Sequence, residues 1–192
     1  MGSVLAQETI TDQVAIAVFR NHILGITAGQ GLIRYRLSAG ENVLATRSRG
    51  LNAFAHTSDR LLAFSGPFQR WFAQPLDLSE QVIQFHVSPR FILAQTNKRV
   101  FGFQAHRASW RIEEFGTREQ VIQLIQQDHV AVVVTNRRVL GFSAFTGGFF
   151  AEDLGADETI DAVTKNDNIV ILQTSARQLI FRSNLAIWAD RR

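Results

Sequence analysis

The sequence repeats itself every 39 residues. Four segments align without a gap, each with a threonine and, three residues later, an arginine. The threonines are Thr57, Thr96, Thr135 and Thr174, and the arginines are Arg60, Arg99, Arg138 and Arg177. An earlier copy lies at 18–26, with His22 at the arginine position. Because about five such units fill the 192 residues, the chain is expected to have a repeat architecture rather than a generic globular fold.

Two further residue types recur at the same step. A bulky side chain stands at Trp71, Trp110, Phe149 and Trp188, with Leu32 in the matching place of the first copy. A glutamate recurs at Glu41, Glu80, Glu119 and Glu158, with Ser3 in the first copy. We therefore expect one domain over residues 1–192, built from repeats at approximately 3–40, 41–79, 80–118, 119–157 and 158–192.

Each copy predicts four short strands. In the copy at 119–157, a loosely alternating segment at 120–125 precedes the β-branched run Val130–Thr135. Further strands are expected at 139–143 and 149–154, separated by turns rich in Asn and Gly. Four strands of about six residues with short turns fill such a repeat. No segment shows a sustained helical period, so helix should be nearly absent.

A four-stranded antiparallel unit repeated around an axis is a propeller blade. The run of strand, polar turn, strand ending in Phe, turn and Trp-led strand resembles blades of the β-propeller superfamily, similar to the quinoprotein and WD40-like groups. Five blades is a number similar to that of tachylectin-type lectins and of some glycosidases. The resemblance implies an all-β fold, a single five-bladed β-propeller whose fifth blade packs directly on the first. An open solenoid of five stacked layers is the alternative.

The composition excludes several kinds of protein. There is no cysteine, which excludes a disulfide scaffold, a thiolate zinc site and a cysteine nucleophile. No apolar run approaches the roughly 18 residues of a membrane helix. Polar residues interrupt any signal-peptide pattern within 1–20, which favours a cytoplasmic location. The net charge is only +3, but the 20 basic residues are nearly all arginine.

The recurring arginines and glutamates should lie on one face of a propeller. A ring of cations there could bind phosphate, nucleic acid or an acidic partner. The first copy lacks both members of the pair, which favours structural bridges that tie blades together. On this interpretation the ring residues are Arg60, Arg99, Arg138 and Arg177 with Glu41, Glu80, Glu119 and Glu158.

The opposite face carries the turns that differ between copies, and function on a repeated scaffold usually lies in such loops. We call it the variable-loop face. It is expected to collect the basic residues Arg47, Arg49, Arg70, Arg90, His106, Arg107 and Lys165, against Asp128 and Asp167. A solvated arginine surface without a ligand is the alternative interpretation.

The remaining recurrent residues favour packing. Trp71, Trp110 and Trp188 could form a ligand platform, but the pattern favours a bulky residue over each seam between blades, because Phe149 and Leu32 take the same position in the other copies. Gly25, Ala63, Gly102 and Gly141 interrupt strands, which predicts close approach of a neighbouring blade.

Catalytic and metal patterns are weak. The five histidines lack ligand spacing, and no nucleophile elbow or phosphate-binding loop is present. A glycosidase needs two carboxylates across a pocket, and Asp161 is the nearest single candidate. The sequence therefore disfavours an enzyme, and it points to no cofactor and no metal.

Two binding functions stay open. The first is a non-catalytic module whose basic variable-loop face binds a protein or an anionic ligand, with nucleic acid among the alternatives. The second is a lectin-like, carbohydrate-binding propeller with one site per blade, suggested by the aromatic residues Phe68, Trp71, Phe103, Trp110 and Phe149. A glycosidase-like hydrolase is a distant third possibility.

Overall fold

Five antiparallel sheets follow one another along the chain in the computed structural model, which describes residues 12–29 and 31–191. Within these residues every regular element is a strand, so the all-β expectation is confirmed. No helix in the described ranges could span a membrane.

Each sheet is one blade, with its strands paired in chain order. The described strands of the first blade are β1 (Val14–Val18), β2 (His22–Thr27) and β3 (Leu32–Arg36). Those of the second and third blades are β4 (Val43–Arg49), β5 (Asn52–Thr57), β6 (Arg60–Ser65), β7 (Arg70–Pro75), β8 (Val82–Val87), β9 (Phe91–Thr96), β10 (Arg99–Gln104) and β11 (Ser109–Glu114). Those of the fourth and fifth are β12 (Val121–Gln126), β13 (Val130–Thr135), β14 (Arg138–Ser143), β15 (Phe149–Asp153), β16 (Ile160–Lys165), β17 (Ile169–Thr174), β18 (Gln178–Arg182) and β19 (Ile187–Arg191).

Four-stranded blades two to five confirm the five-bladed β-propeller that the repeats predict. The strand expected at the start of the first repeat lies outside the described residues. The three described strands of the first blade pair in the same order as the second, third and fourth strands of the other blades. The proposed repeat bounds enclose these sheets, while the assignment of 1–192 to one domain stays a prediction.

The core lies in the seams between successive blades. Four buried apolar clusters join blades one to two, two to three, three to four and four to five. The second strands of the third and fourth blades, β9 and β13, are buried on both faces. This two-sided burial explains why Val130–Thr135 reads as a continuous β-branched run.

A phenylalanine packed on a glycine recurs at the seams. A Cβ added at Gly25 would lie 2.6 Å from the ring of Phe64, and one at Gly141 would lie 2.6 Å from Phe181. Gly102 stands in the same relation to Phe142. The predicted close approach of neighbouring blades is therefore confirmed at these glycines, because no side chain fits between strand and ring.

The recurring tryptophans also lie at seams. The indole N–H of Trp110 donates to the carbonyl oxygen of Phe72 at 3.1 Å, and that of Trp188 donates to Phe150 at 2.8 Å. Each acceptor lies on the last strand of the preceding blade. Trp71 makes the same bond to Ile33 at 3.0 Å. These rings are used for packing between blades, which leaves little of them for a ligand platform.

The seam between the fifth and first blades differs from the others. No buried apolar cluster joins these two blades within the described residues, and the first strand of the first blade lies outside them, so direct packing of the fifth blade on the first stays a prediction. The residues at this seam also differ from those at the other seams. Ile180 replaces the glycine, Ile26 replaces the phenylalanine, and Leu32, 63% exposed, replaces the tryptophan.

Candidate binding face

The first strands of the blades approach one axis at the variable-loop face. Arg49, at the end of β4 in the second blade, lies 3.1 Å from Asp128, which follows β12 in the fourth blade. An ion pair that spans the intervening third blade requires the ends of these strands to converge. The first strands therefore lie nearest the axis, as in a propeller.

The opposite face carries the repeated arginine and glutamate residues, each pair within one blade. The shortest N···O distances are Arg60–Glu41 3.1 Å, Arg99–Glu80 2.6 Å, Arg138–Glu119 2.9 Å and Arg177–Glu158 3.0 Å. The Arg60 Nε atom is close to Glu41 without hydrogen-bond alignment. Each glutamate also accepts from the threonine hydroxyl of its copy, at 2.7 to 2.9 Å.

The same arginines reach the preceding blade. Arg138 Nη2 donates to the carbonyl oxygen of Glu114 at 2.7 Å, and Arg177 Nη2 donates to that of Asp153 at 2.6 Å. Both carbonyls end the fourth strand of the blade before. Each arginine thus fixes a turn, a carboxylate and a neighbouring strand at once, which is a sufficient structural use for the charge.

The hydrogen bonds favour the ionised form of Glu80, Glu119 and Glu158. Burial opposes the charge on Glu158, but hydrogen bonds from Arg177, the backbone of Gly155 and Thr174 outweigh it and lower its pKa to about 2. The pKa values of Glu80 and Glu119 are lowered by the same set of contacts against the same burial. These carboxylates are unsuited to general acid catalysis at neutral pH, because they stay deprotonated.

The first blade departs from the pattern. His22 takes the arginine position, where its Nδ1 lies 2.8 Å from the Asn21 side-chain oxygen and its ring stacks on Phe19 at 4.6 Å. Ser3, at the matching glutamate position, lies outside the described residues. The structural interpretation of the ring is thus argued on blades two to five.

The basic residues of the variable-loop face lie at one end of the sheets. They are in the turns between first and second strands and between third and fourth strands, or in the strand ends beside them. Arg47 and Arg49 lie on β4, Arg70 begins β7, Arg90 lies in the β8–β9 turn, His106 and Arg107 lie in the β10–β11 turn, and Lys165 ends β16. All but the half-buried Arg90 are exposed.

Most of this positive charge forms no salt bridge with a carboxylate of the described residues. Among the salt bridges of the described residues, one involves a cation of this set, the Arg49–Asp128 pair. Arg70 instead lies over the ring of Phe72, 5.6 Å from its centroid. All four ring arginines have carboxylate partners, so the two faces use arginine differently.

His86 lies close to the positive charges of Arg49 and Arg47. The repeat pattern does not single out this residue. It lies on β8, and its pKa is lowered by burial and then by the nearby charges of Arg49 and Arg47, which Asp128 only partly offsets. Its Nε2 atom is buried without a hydrogen-bond partner. We call Arg47, Arg49, His86 and Asp128 the mouth cluster.

Backbone hydrogen bonds fix the loops around this cluster. The Gln13 N–H donates to Gly50 O at 2.9 Å, and the Leu51 N–H donates to Pro89 O at 2.9 Å. The His129 N–H donates to Asp167 O at 3.0 Å. Each bond joins turns of neighbouring blades, so the face is pre-organised and a ligand need not order it.

The described residues offer no obvious centre for metal chemistry. No group of three or more His, Asp or Glu side chains within them is placed to hold a metal ion. Asp161, the sequence candidate for carboxylate chemistry, is exposed and accepts from Thr159 Oγ1 at 3.2 Å.

Comparisons with known proteins add similarity of fold alone. No family model matches the chain, and no curated protein matches it. Human WBSCR16 is 11% identical over 90% of this chain and 62% of that chain, with a TM-score of 0.42. Prp20p from Saccharomyces cerevisiae is 8% identical over 90% and 56%, with a TM-score of 0.43, and Hsv2 from Kluyveromyces lactis is 11% identical over 95% and 61%, with a TM-score of 0.41.

The chain therefore spans somewhat more than half the length of each of these structures. The class of protein is defined by the sheets and seams described above. Within the described residues, the chain is an all-β, five-bladed β-propeller in which four arginines of one face pair with glutamates, while most basic residues of the variable-loop face form no salt bridge.

Proposed function

We propose that this protein is a non-catalytic binding module whose mouth cluster binds an acidic segment of a protein partner. The observation that carries the proposal is the Arg49–Asp128 pair, in which a carboxylate from another blade already occupies one of the mouth arginines at 3.1 Å. Both side chains are more than two-fifths exposed, so a carboxylate from outside can reach the same guanidinium.

The electrostatics support the same conclusion. Arg47 is exposed on the same strand as Arg49, and the pKa of His86 is lowered first by burial and then by the nearby charges of Arg49 and Arg47. The part of this lowering that comes from the two arginines indicates positive potential, which attracts anions. The strand ends and turns that hold these residues differ in sequence between blades, which suits recognition of one partner rather than five equivalent ligands.

The experiment compares three probes on the intact chain. A fluorescent oligoglutamate peptide, a DNA duplex and a neutral oligosaccharide are titrated by anisotropy or calorimetry at low and raised salt. We expect the peptide to bind, its affinity to fall with salt, and the Arg47→Ala, Arg49→Ala, Arg90→Ala triple variant to lose about tenfold or more.

A matched variant controls for net charge. Arg34, Arg111 and Arg137 are exposed arginines away from the variable-loop face, and their triple alanine variant should keep the affinity. Equal losses of peptide affinity in the two variants would show that net charge alone accounts for binding and would refute a specific site. Tighter binding of the duplex than of the peptide would identify nucleic acid, rather than a protein, as the partner. Binding of the neutral oligosaccharide alone would favour the lectin-like alternative.

A further inference from the structure

The first strand of every blade from the second to the fifth carries the same irregularity. In β4, Val43 pairs with Thr57 and Ala45 pairs with His56, which leaves Leu44 as an extra residue. The same one-residue shift occurs in β8, β12 and β16. The extra residues are Leu44, Ile83, Ile122 and Asp161. A bulge takes its residue out of the ladder and re-aims its side chain.

Three of these four residues are large, aliphatic and exposed. Leu44 is 61% exposed, Ile83 is 60% exposed and Ile122 is 68% exposed, although Val43 and Val82, the neighbours of the first two, pack into the seams. Single exposed apolar residues need no explanation. Three such residues at one equivalent position of consecutive blades place a repeated exposed apolar side chain on the strands nearest the axis, and grouped exposed apolar residues are typical of contact surfaces. We call Leu44, Ile83 and Ile122 the aliphatic strip.

The aliphatic strip and the mouth cluster lie on the same strands. Arg47 follows Leu44 by three residues on β4, and His86 follows Ile83 by three residues on β8. At about 3.3 Å of rise per residue, the two features are separated by about 10 Å along the axis. The surface nearest the axis is therefore apolar toward the Arg–Glu ring and basic at the variable-loop face.

We propose that the acidic partner segment is extended and carries an aliphatic side chain four residues before an acidic one. This inference rests on the proposed function and specifies its ligand. Side chains alternate along an extended chain, so residues four apart project to the same side and lie about 13 Å apart. This distance falls between the roughly 10 Å that separates Leu44 from Arg47 and the roughly 16 Å that separates Leu44 from Arg49. The aliphatic side chain contacts the aliphatic strip, while the carboxylate replaces Asp128 on Arg49. A peptide that carries acidic groups alone contacts only the basic end of this surface, and a purely apolar peptide contacts only the aliphatic strip.

The experiment uses two short synthetic peptides of equal charge. One has leucine three residues before a pair of glutamates, and the other has serine in place of the leucine. Both are titrated against the intact protein and against Ile83→Ser and Leu78→Ser. Leu78 is a matched control because it is fully exposed in the loop between β7 and β8, outside the aliphatic strip.

We expect the leucine peptide to bind the unaltered protein about tenfold more tightly than the serine peptide. The difference should shrink to less than about threefold in Ile83→Ser and persist in Leu78→Ser. Equal affinity of the two peptides, still salt-sensitive and still dependent on Arg47 and Arg49, would overturn this inference and leave the proposed function standing. Failure of both peptides to bind would overturn both. Unchanged thermal unfolding of Ile83→Ser would show that a lost preference is not a lost fold.

Discussion

Replacing Gly141 with alanine tests the seam between the fourth and fifth blades. The added Cβ would meet three ring carbons of Phe181 at 2.6 to 2.7 Å, about 1 Å inside ordinary van der Waals contact. Phe181 is fully buried in the cluster that joins these blades, so it has no free space to move into. Overpacking of this kind costs about 1–3 kcal/mol.

For a chain of this size, 1 kcal/mol lowers the melting temperature by about 2–4 °C. Gly141→Ala should therefore melt about 2–12 °C below the unaltered protein in a calorimetric or circular-dichroism scan. Gly29→Ala is the control, since nothing lies within 4 Å of a Cβ at that position, and its melting temperature should stay within about 2 °C. If Gly141→Ala melts no lower than Gly29→Ala, blades four and five do not pack as described.

Three further predictions concern the ring, the seams and the mouth cluster. Glu158 has a pKa lowered from 4.5 to about 2, so its contribution to stability is present above about pH 4.5 and lost as pH falls toward 2. Glu158→Gln should accordingly reduce the free energy of unfolding at pH 7 by about 3 kcal/mol, with the difference vanishing near pH 2; a difference independent of pH in urea titrations would contradict this. Trp110→Phe keeps an aromatic side chain but removes the hydrogen bond to Phe72 O, which should lower the free energy of unfolding by about 1–2 kcal/mol in the same titration. A loss below about 0.3 kcal/mol would show that this hydrogen bond is unimportant. Asp128→Asn removes the carboxylate that competes for Arg49, so oligoglutamate should bind about two- to fivefold more tightly, and weaker binding would show that Asp128 instead helps to build the site.

The repeat predicted the blades because each blade repeats the same physical requirements. A glycine must accept a phenylalanine ring, a tryptophan must reach the preceding blade, and an arginine must find its glutamate. These three residue pairings recur in most copies of the sequence. The structure brings the two members of each pairing into contact at most of the corresponding positions. At the seam between the fifth and first blades Ile180 stands at the glycine position, a substitution that the period alone did not single out.

The sequence predicted part of the mouth cluster, because it assigned Arg47, Arg49 and Asp128 to the variable-loop face but not His86. Arg47 and Arg49 stood out because charge collects in a variable loop. His86 did not, because the residues at its position in the neighbouring copies, Arg47 and Ile125, are of other types, so no histidine recurs there. The pairing of Arg49 with Asp128 joins blades that are not neighbours, and a linear period cannot show which turns meet across an axis. The bulges at Leu44, Ile83 and Ile122 preserve the 39-residue step, so they leave no trace in it.

The protonation of His86 tests the central claim of a basic, acid-binding mouth most directly. Its pKa is lowered by burial and by Arg49 and Arg47, so an anion bound to those arginines should raise it. The measurement is an NMR titration of the histidine ring signals with and without saturating oligoglutamate, with His86→Gln to assign the resonance. The account predicts that the pKa of His86 rises toward its ordinary value of 6.5 when the peptide is bound. A peptide that binds while the pKa of His86 stays unchanged would place the acidic ligand elsewhere and contradict the account.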